Sequence, residues 1–216
     1  MARSSDLLFK DASVGVEGPS PRKLKTRRRI LGAAAEVVVL KGIGKATVGD
    51  VLSAAEVSRR TFYQHFRSKD DVLLALYQQV ADGLRNAVKN GAASAKQPVA
   101  RLHAAIDGYL DYQEAGGELL SLLQAEAVRP DSLLAPYREE TLDRLTEFMD
   151  KEVRGELGLE IDPLLYRSLF LGMDGLIIHM QARGTFTSSD RARIGQLMQP
   201  VYVLILAGGA SLPGPP

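Results

Sequence analysis

The side chains with the clearest chemical potential lie between Val48 and Asp70, in the stretch VGDVLSAAEVSRRTFYQHFRSKD. Guanidinium groups pair with base edges in the DNA major groove, whereas hydroxyl, ring N–H and ammonium groups bind phosphate oxygens without reporting sequence. Arg59 and Arg60 are therefore candidate base readers. The full set of candidate DNA-contacting residues is Arg28, Lys45, Thr47, Ser58, Arg59, Arg60, Thr61, Tyr63, Gln64, His65 and Lys69.

Two short helices must position these groups. Apolar residues at helical spacing follow Thr47, whose hydroxyl suits an N-cap, and they predict a first helix over about residues 47 to 54. Ser58 is a second N-cap and begins the second helix, on which Phe62 and Phe66 share a packing face. The arginines lie on the other face. The pattern indicates a helix-turn-helix, in which the second helix enters the major groove.

The alternative for this stretch is an amphipathic helix with a solvated basic face, and charge distribution favours the DNA interpretation. Arg22 to Lys69 carries 12 basic and 3 acidic residues, net +9, whereas Asp70 to Pro216 carries 13 basic and 20 acidic, net −7. Clustered basic charge is what neutralising phosphates requires.

The segment AAEVSRRTFYQHFRSKDDVLLALY closely resembles the DNA-binding signature of tetracycline-repressor (TetR) family regulators, and the resemblance covers about Arg22 to Tyr77. It implies an all-α fold with an N-terminal three-helix DNA-binding domain and a C-terminal helical domain for ligand binding and dimerisation. It also implies a repressor that binds a palindromic operator as a homodimer and that a small-molecule effector releases. One departure is Glu56, which occupies a turn position where family members commonly have glycine, so either modest strain or a slightly different turn is expected there.

Composition restricts the class of protein. The 216 residues are 45% hydrophobic and 25% charged and include no cysteine, which is ordinary for a globular protein and excludes disulfides and thiolate chemistry. No run of 18 apolar residues is present, and the first residues lack the pattern of a signal peptide. We expect a cytoplasmic protein without membrane contact.

Along the chain we expect a disordered arm over residues 1–21, the DNA-binding domain over 22–68 and an effector-binding and dimerisation domain over 69–210, with about nine helices in all. Apolar periodicity and glycine or proline punctuation set the helix boundaries. The expected helices after the DNA-binding segment run from Ser68 to about Gly91, Pro98 to Gly116, Glu118 to Val128, Pro130 to about Arg154, Asp162 to Arg183 and Ser188 to Ala207.

The last two helices are more apolar than one surface helix requires, which suggests a subunit interface, although packing within the chain explains each residue equally well. Glycines on the first of them would let helices approach closely. The candidate interface residues are Phe170, Gly172, Gly175, Ile194, Met198, Val201 and Ile205.

Polar or soft side chains on otherwise apolar helices are candidates for lining an effector pocket, although each is more often a packed core residue. They are His103, Tyr109, Tyr112, Gln124, Tyr166, Met173 and His179. No cofactor is expected, because the segment GIGKAT lacks the spacing of a phosphate-binding loop.

Two other classes of protein are weighed against a DNA-binding regulator. An enzyme is disfavoured by three dispersed histidines and no cysteine, and a metal site formed by His103, His179 and Asp174 lacks paired-ligand spacing. A helical protein-interaction adaptor without specific DNA binding would explain the apolar stripes, but it would not explain the charge division.

Overall fold

The computed structural model describes residues 20–184 and 186–209, with side chains through residue 204. These residues form eight helices and no β-strand, which confirms the all-α prediction. Nearly all of the predicted arm, residues 1–19, lies outside the described residues. The helices are α1 (Pro21–Lys41), α2 (Val48–Ala55), α3 (Arg59–Tyr63), α4 (Lys69–Ser94), α5 (Pro98–Ala127), α6 (Ala135–Leu157), α7 (Pro163–Gln181) and α8 (Ser188–Gly209).

The chain divides into two compact units. Of the described residues, the first comprises residues 20–80 and Glu118–Ala135, and the second comprises Ala81–Gly117 and residues 136–184 and 186–209. The first unit therefore includes residues beyond 68, where the sequence placed the end of the DNA-binding domain. None of the helices in the described ranges is long and apolar enough to span a bilayer.

Helix α5 loses regular geometry at Gly117, as the Gly116-Gly117 pair predicted. Gly117 adopts φ 56° and ψ −148°, a backbone conformation that only glycine reaches without steric cost. Helical geometry is regular on either side of this residue, so the two helical segments that the sequence predicted are present and meet at a kink within α5. The kink coincides with the boundary between the two compact units.

Two predicted boundaries are wrong for identifiable reasons. Helix α4 continues past Gly91 to Ser94, because Gly91 is a packing residue: a Cβ there would overlap the Ala104 carbonyl of α5. Helix α6 begins at Ala135 rather than Pro130, because residues 128–134 form turns in which the Leu134 amide donates to the Ser132 hydroxyl at 3.1 Å. From sequence alone, a glycine that ends a helix cannot be distinguished from one that packs within it, and a proline that begins a helix cannot be distinguished from one in a preceding turn.

Each unit has its own apolar core. In the first, the buried residues include Ile30 and Ala34 of α1, Val51 of α2, and Phe62 and Phe66, all less than 5% exposed. The Phe62 and Phe66 ring centroids lie 5.9 Å apart. The predicted packing face of the second short helix is therefore confirmed. In the second unit, one cluster of buried residues from α4 to α8 forms the core, with Leu110, Met173, Ile177 and Ile194 completely enclosed.

Candidate nucleic-acid interface

Helix α2 is fixed at its start by reciprocal hydrogen bonds. The Thr47 hydroxyl accepts from the Asp50 amide at 3.2 Å, and the Asp50 carboxylate accepts from the Thr47 amide at 3.1 Å. Lys41, at the end of α1, binds the same carboxylate at 2.6 Å. The hydrogen bonds from Lys41 and then Thr47 lower the pKa of Asp50. Thr47, a predicted phosphate contact, is thus also a capping residue.

The turn between α2 and α3 contains the departure noted in the sequence. Glu56 adopts φ 49° and ψ 47°, the only non-glycine residue with positive φ in the described ranges. Its amide and that of Val57 donate to the carbonyls of Ser53 and Leu52, which closes α2 in a left-handed cap. The expected turn strain at Glu56 is therefore present, because the conformation costs about 1 to 2 kcal/mol for a residue with a Cβ.

Helix α3 is the short helix that carries the candidate base readers. Ser58 caps it by accepting from the Thr61 amide at 3.1 Å, and buried Phe62 anchors it to the core of the first unit. Arg59 and Arg60 in its first turn are exposed. An exposed first turn on a capped, anchored helix is the arrangement that major-groove recognition requires.

Arg27 has a structural role that was not predicted from the sequence, where it is one of several basic residues near the start of α1. Its guanidinium carbon lies 4.2 Å from the centroid of the Phe66 ring, and its Nη1 donates to the His65 carbonyl at 3.1 Å. Burial lowers its pKa. The spacing of the sequence indicates this role, because Arg27 lies four residues before the apolar Leu31, which is buried, and residues four apart share one face of a helix.

His65 and Lys69 are partly buried at the edge of this surface. Burial lowers the pKa of His65, and the nearby charges of Lys23 and Arg27 lower it further. The Lys69 ammonium donates to the Ile43 carbonyl at 3.2 Å and so stabilises the turn between α1 and α2. The side chain predicted to bind phosphate thus already has a carbonyl partner.

The predicted DNA-contacting residues all belong to the first unit and reach its surface to different extents. Thr61 is partly buried, like His65 and Lys69. The exposed members are Arg28, Lys45, Thr47, Ser58, Arg59, Arg60, Tyr63 and Gln64.

The predicted effector residues divide between the units: Gln124 belongs to the first and the other six to the second. Tyr109, Tyr166 and Met173 are at most 2% exposed, and His179 is exposed. His103 and Tyr112 are partly buried, with the His103 ring centroid 4.5 Å from that of Tyr202.

A buried polar network that the sequence did not identify lies in the second unit. The Tyr109 hydroxyl donates to one oxygen of Asp174, and Arg138 donates to the other at 2.9 Å. Burial raises the pKa of Tyr109, and the negative charge of Asp174 raises it further. Asp174, considered as a metal ligand from sequence, instead accepts these two hydrogen bonds. Among the described residues, no three His, Asp or Glu side chains are grouped closely enough to hold a metal ion.

The predicted dimer residues require a correction. Phe170 and Ile194 are 1% and 0% exposed and pack in the core of their own subunit, so they are not available to a partner. Gly172, Gly175 and Val201 are exposed, Met198 is partly buried, and the side chain of Ile205 lies outside the described part. The large apolar residues exposed on α7 and α8 include Leu171, Leu197 and Leu204.

The described helices and the exposed basic first turn of α3 define a helix-turn-helix DNA-binding protein, and comparison with known proteins identifies its family. Residues 30–76 match the family model for bacterial regulatory proteins of the tetR family. The transcriptional activator FasR of Mycolicibacterium smegmatis is 34% identical over 165 residues, which cover 76% of this chain and 74% of that relative. The repressor LfrR of the same organism is 31% identical over 128 residues, covering 59% and 65% of the two chains.

A solved structure extends the likeness over most of the fold. The fatty acid degradation regulator FadR from Bacillus halodurans superposes with a TM-score of 0.68 at 22% identity, covering 90% of this chain and 98% of that one. The chain belongs to the TetR family and is a DNA-binding transcriptional regulator. The adaptor alternative, which lacked specific DNA binding, is thereby excluded.

Proposed function

We propose that two copies of the chain bind a near-palindromic operator, each placing α3 in the major groove. The observation that supports this most directly is the exposed pair Arg59 and Arg60 on a helix held by the Ser58 cap and buried Phe62. A guanidinium held in this way can pair bidentately with a guanine edge, which contributes about 1 to 3 kcal/mol of discrimination.

The remaining exposed polar groups of the first unit bind phosphate. Lys45 and Arg28 contribute charge, Tyr63 is 49% exposed and contributes a hydroxyl, and Gln64 lies at the end of α3. Contacts of this kind fix the position of the protein on the duplex and make affinity fall as salt rises.

The exposed apolar face of α7 and α8 supports dimerisation. Leu171 is 41% exposed and Leu197 is 50% exposed. Gly172 and Gly175 lie on the same exposed side of α7, and a Cβ added to either would meet no atom within 4 Å of the same chain. Helices of a second subunit can approach such a face closely. Two-fold symmetry would then place the two α3 helices on half-sites about 34 to 36 Å apart.

The second unit binds a small-molecule effector that releases the protein from its operator, so the protein acts as a repressor. The buried polar side chains among the apolar core residues of that unit support this step. The effector must bind the DNA-incompetent arrangement better, and DNA must weaken effector binding by the same factor.

Selection of bound duplexes from random-sequence DNA tests the proposal. The expected product is a two-fold symmetric motif whose half-site centres lie about one helical turn, or a multiple of it, apart. The same experiment with Leu197→Glu protein, which places a charge on the proposed dimer face, is expected to yield single half-sites at lower affinity. Recovery of the full symmetric motif by a protein that remains monomeric on that DNA would contradict the dimer proposal.

A further inference from the structure

A small cavity lies between helices α1 to α4 of the first unit. Its volume is about 20 Å³, and every residue that lines it belongs to that unit. Ten of the eleven lining residues are apolar, and the exception is Lys69. Phe62, which anchors the short helix α3, forms part of the wall. A molecule in this cavity would therefore touch the core that holds the candidate base readers in place.

The cavity suits an apolar group better than water. A water molecule needs a cavity of about 10 to 15 Å³ and two to four polar partners. The space is sufficient, but away from Lys69 the walls offer only apolar side chains. Two of the buried wall residues are alanines, Ala34 and Ala46, and each contributes only a methyl group. The end of a short alkyl chain can fill the space that they leave.

Lys69 gives the cavity one positive charge. Its ammonium donates to the carbonyl of Ile43, another lining residue, at 3.2 Å. A lysine ammonium has three N–H donors. Within the part of the chain that the structure describes, one of them goes to Ile43, which leaves two for an anion. Lys69 and Ile43 are partly exposed, whereas Ala34 and Phe62 are buried, so the charge lies on the side of the cavity that reaches solvent.

Size and charge together select the class of ligand. An aromatic ring is too large, because a cavity that binds benzene has a volume of about 150 Å³. A cation would be repelled by Lys69, and an alcohol would form a weaker hydrogen bond with the ammonium than a carboxylate does. A short aliphatic carboxylate matches both features, since its alkyl end is buried and its anionic end reaches the ammonium.

We propose that this cavity is a second ligand site, which binds an aliphatic carboxylate of about four carbons. The alkyl end fills the cavity, and the carboxylate accepts hydrogen bonds from the remaining donors of Lys69. Because Lys69 is also a predicted phosphate contact, the bound carboxylate competes with DNA for the same ammonium. The site acts on the DNA-binding unit directly, and it requires neither the proposed dimer nor the proposed effector site of the second unit.

A series of sodium carboxylates tests the size of the site on the full chain without DNA. Acetate, propionate, butyrate and hexanoate are titrated at equal ionic strength while the methyl resonances of Ala34 and Ala46 are followed. Each CH₂ group that enters the cavity is expected to tighten binding about fourfold. Affinity should therefore rise from acetate to butyrate, which binds at millimolar concentration, and hexanoate should bind no more tightly than butyrate.

Two further probes test the charge of the site. Butylammonium and 1-butanol carry the same alkyl chain as butyrate but lack its negative charge. Both are expected to bind at least about tenfold more weakly, which is the effect of losing a charge-assisted hydrogen bond to Lys69.

Three variants locate the site, and one matched control accompanies them. Lys69→Met removes the ammonium and keeps a side chain of similar length, and Lys45→Met removes an exposed cation that does not line the cavity. Ala46→Val adds two methyl groups to the wall. Butyrate binding is expected to be lost in Lys69→Met and Ala46→Val and retained in Lys45→Met. Val51→Ala enlarges the cavity and should shift the tightest binding from butyrate to hexanoate.

Several results would overturn this site. They are butyrate that does not bind at millimolar concentration, butyrate that binds no more tightly than acetate or 1-butanol, and equal butyrate affinity in Lys69→Met and Lys45→Met. If Ala46→Val does not fold, Val51→Ala decides the location, because an unchanged preference for butyrate in that variant would place the binding elsewhere.

Random-sequence duplex DNA tests the competition, because phosphate contacts do not depend on sequence. At an ionic strength held constant with sodium chloride, butyrate is expected to weaken DNA binding, and DNA to weaken butyrate binding by the same factor. Butyrate should also reduce the salt dependence of DNA affinity by about one phosphate contact, and Lys69→Met protein should not respond to it. Butyrate that binds in the cavity and leaves DNA affinity unchanged would contradict competition at Lys69.

Discussion

The two compact units use polar side chains in opposite ways. In the first, most cationic and hydroxyl groups remain at the surface, and the internal polar contacts include caps and turns, such as Thr47 with Asp50 and Lys69 with the Ile43 carbonyl. In the second, Tyr109, Asp174 and Gln113 are buried within the apolar core. A surface that binds a polyanion needs exposed donors, whereas a site for a small molecule needs a few polar groups with apolar walls.

The largest expected effect comes from breaking the buried ion pair of the second unit. Asp174→Ala leaves the Arg138 guanidinium without its buried partner, so the free energy of unfolding is expected to fall by about 3 to 5 kcal/mol. Urea denaturation at a fixed protein concentration measures it, because the proposed dimerisation would make apparent stability concentration-dependent.

Two controls accompany that measurement. Arg144→Ala breaks the exposed pair with Glu140 and is expected to change stability by no more than about 0.5 kcal/mol. Asp174→Leu combined with Arg138→Met removes both charges and is expected to recover most of the loss. A small effect of Asp174→Ala alone would show that the pair is solvated rather than buried.

In the first unit, the comparable internal arginine is Arg27. Arg27→Ala removes its contact with the Phe66 ring and its hydrogen bond to the His65 carbonyl, so a loss of about 2 kcal/mol in the free energy of unfolding is expected. Its neighbour Arg28 is exposed, and Arg28→Ala is the matched control.

The two arginine variants are also expected to differ in DNA binding. Arg28→Ala should leave stability unchanged and reduce the salt dependence of DNA affinity by about one phosphate contact. Equal stability losses for both variants would contradict the structural assignment of Arg27.

A smaller gain in stability is expected at the α2–α3 turn. Glu56→Gly relieves the left-handed strain but adds backbone freedom to the unfolded chain, so the net stabilisation should be about 1 kcal/mol or less. Glu56→Ala, which keeps the Cβ, is the matched control and should give none of this gain. Thermal denaturation of the two variants distinguishes backbone strain from loss of the carboxylate.

The pH dependence of DNA binding is expected to be modest and to arise at His65. Its pKa is below the usual 6.5 in the free protein because of burial and then Lys23 and Arg27, so the ring is neutral at pH 7. The folded protein binds this proton less readily than the unfolded chain does. The contribution of His65 to the free energy of unfolding is therefore fully present above pH 6.5 and is lost as pH falls towards the lowered pKa.

We propose that an operator phosphate lies near His65 in the complex. It would favour the protonated ring, so DNA binding would take up a proton and affinity should rise as pH falls below about 6.5. Fluorescence anisotropy across this range, with His65→Gln as the comparison, measures the effect. A His65→Gln protein with the same pH dependence would assign the proton uptake to another group.

The first unit was more predictable from sequence than the second, for a physical reason. The Ser58 cap, the Phe62 and Phe66 packing face and the Glu56 turn depend on neighbouring residues, so local spacing reveals them. The pairing of Arg138 with Asp174 joins residues 36 positions apart, and helical periodicity carries no information about such a partner. Phe170 and Ile194 show the same limit, because an apolar stripe does not tell whether its partner is the same chain or a second copy.

Competition between the selected operator and random duplex DNA, at one salt concentration, tests the central claim about α3 most directly. Arg59→Ala and Arg60→Ala are each expected to reduce the free-energy difference between the two DNAs by about 1 to 3 kcal/mol. Lys45→Ala, an exposed cation outside α3, should weaken both complexes equally. Loss of equal size on both DNAs for the two arginine variants would contradict base reading by α3.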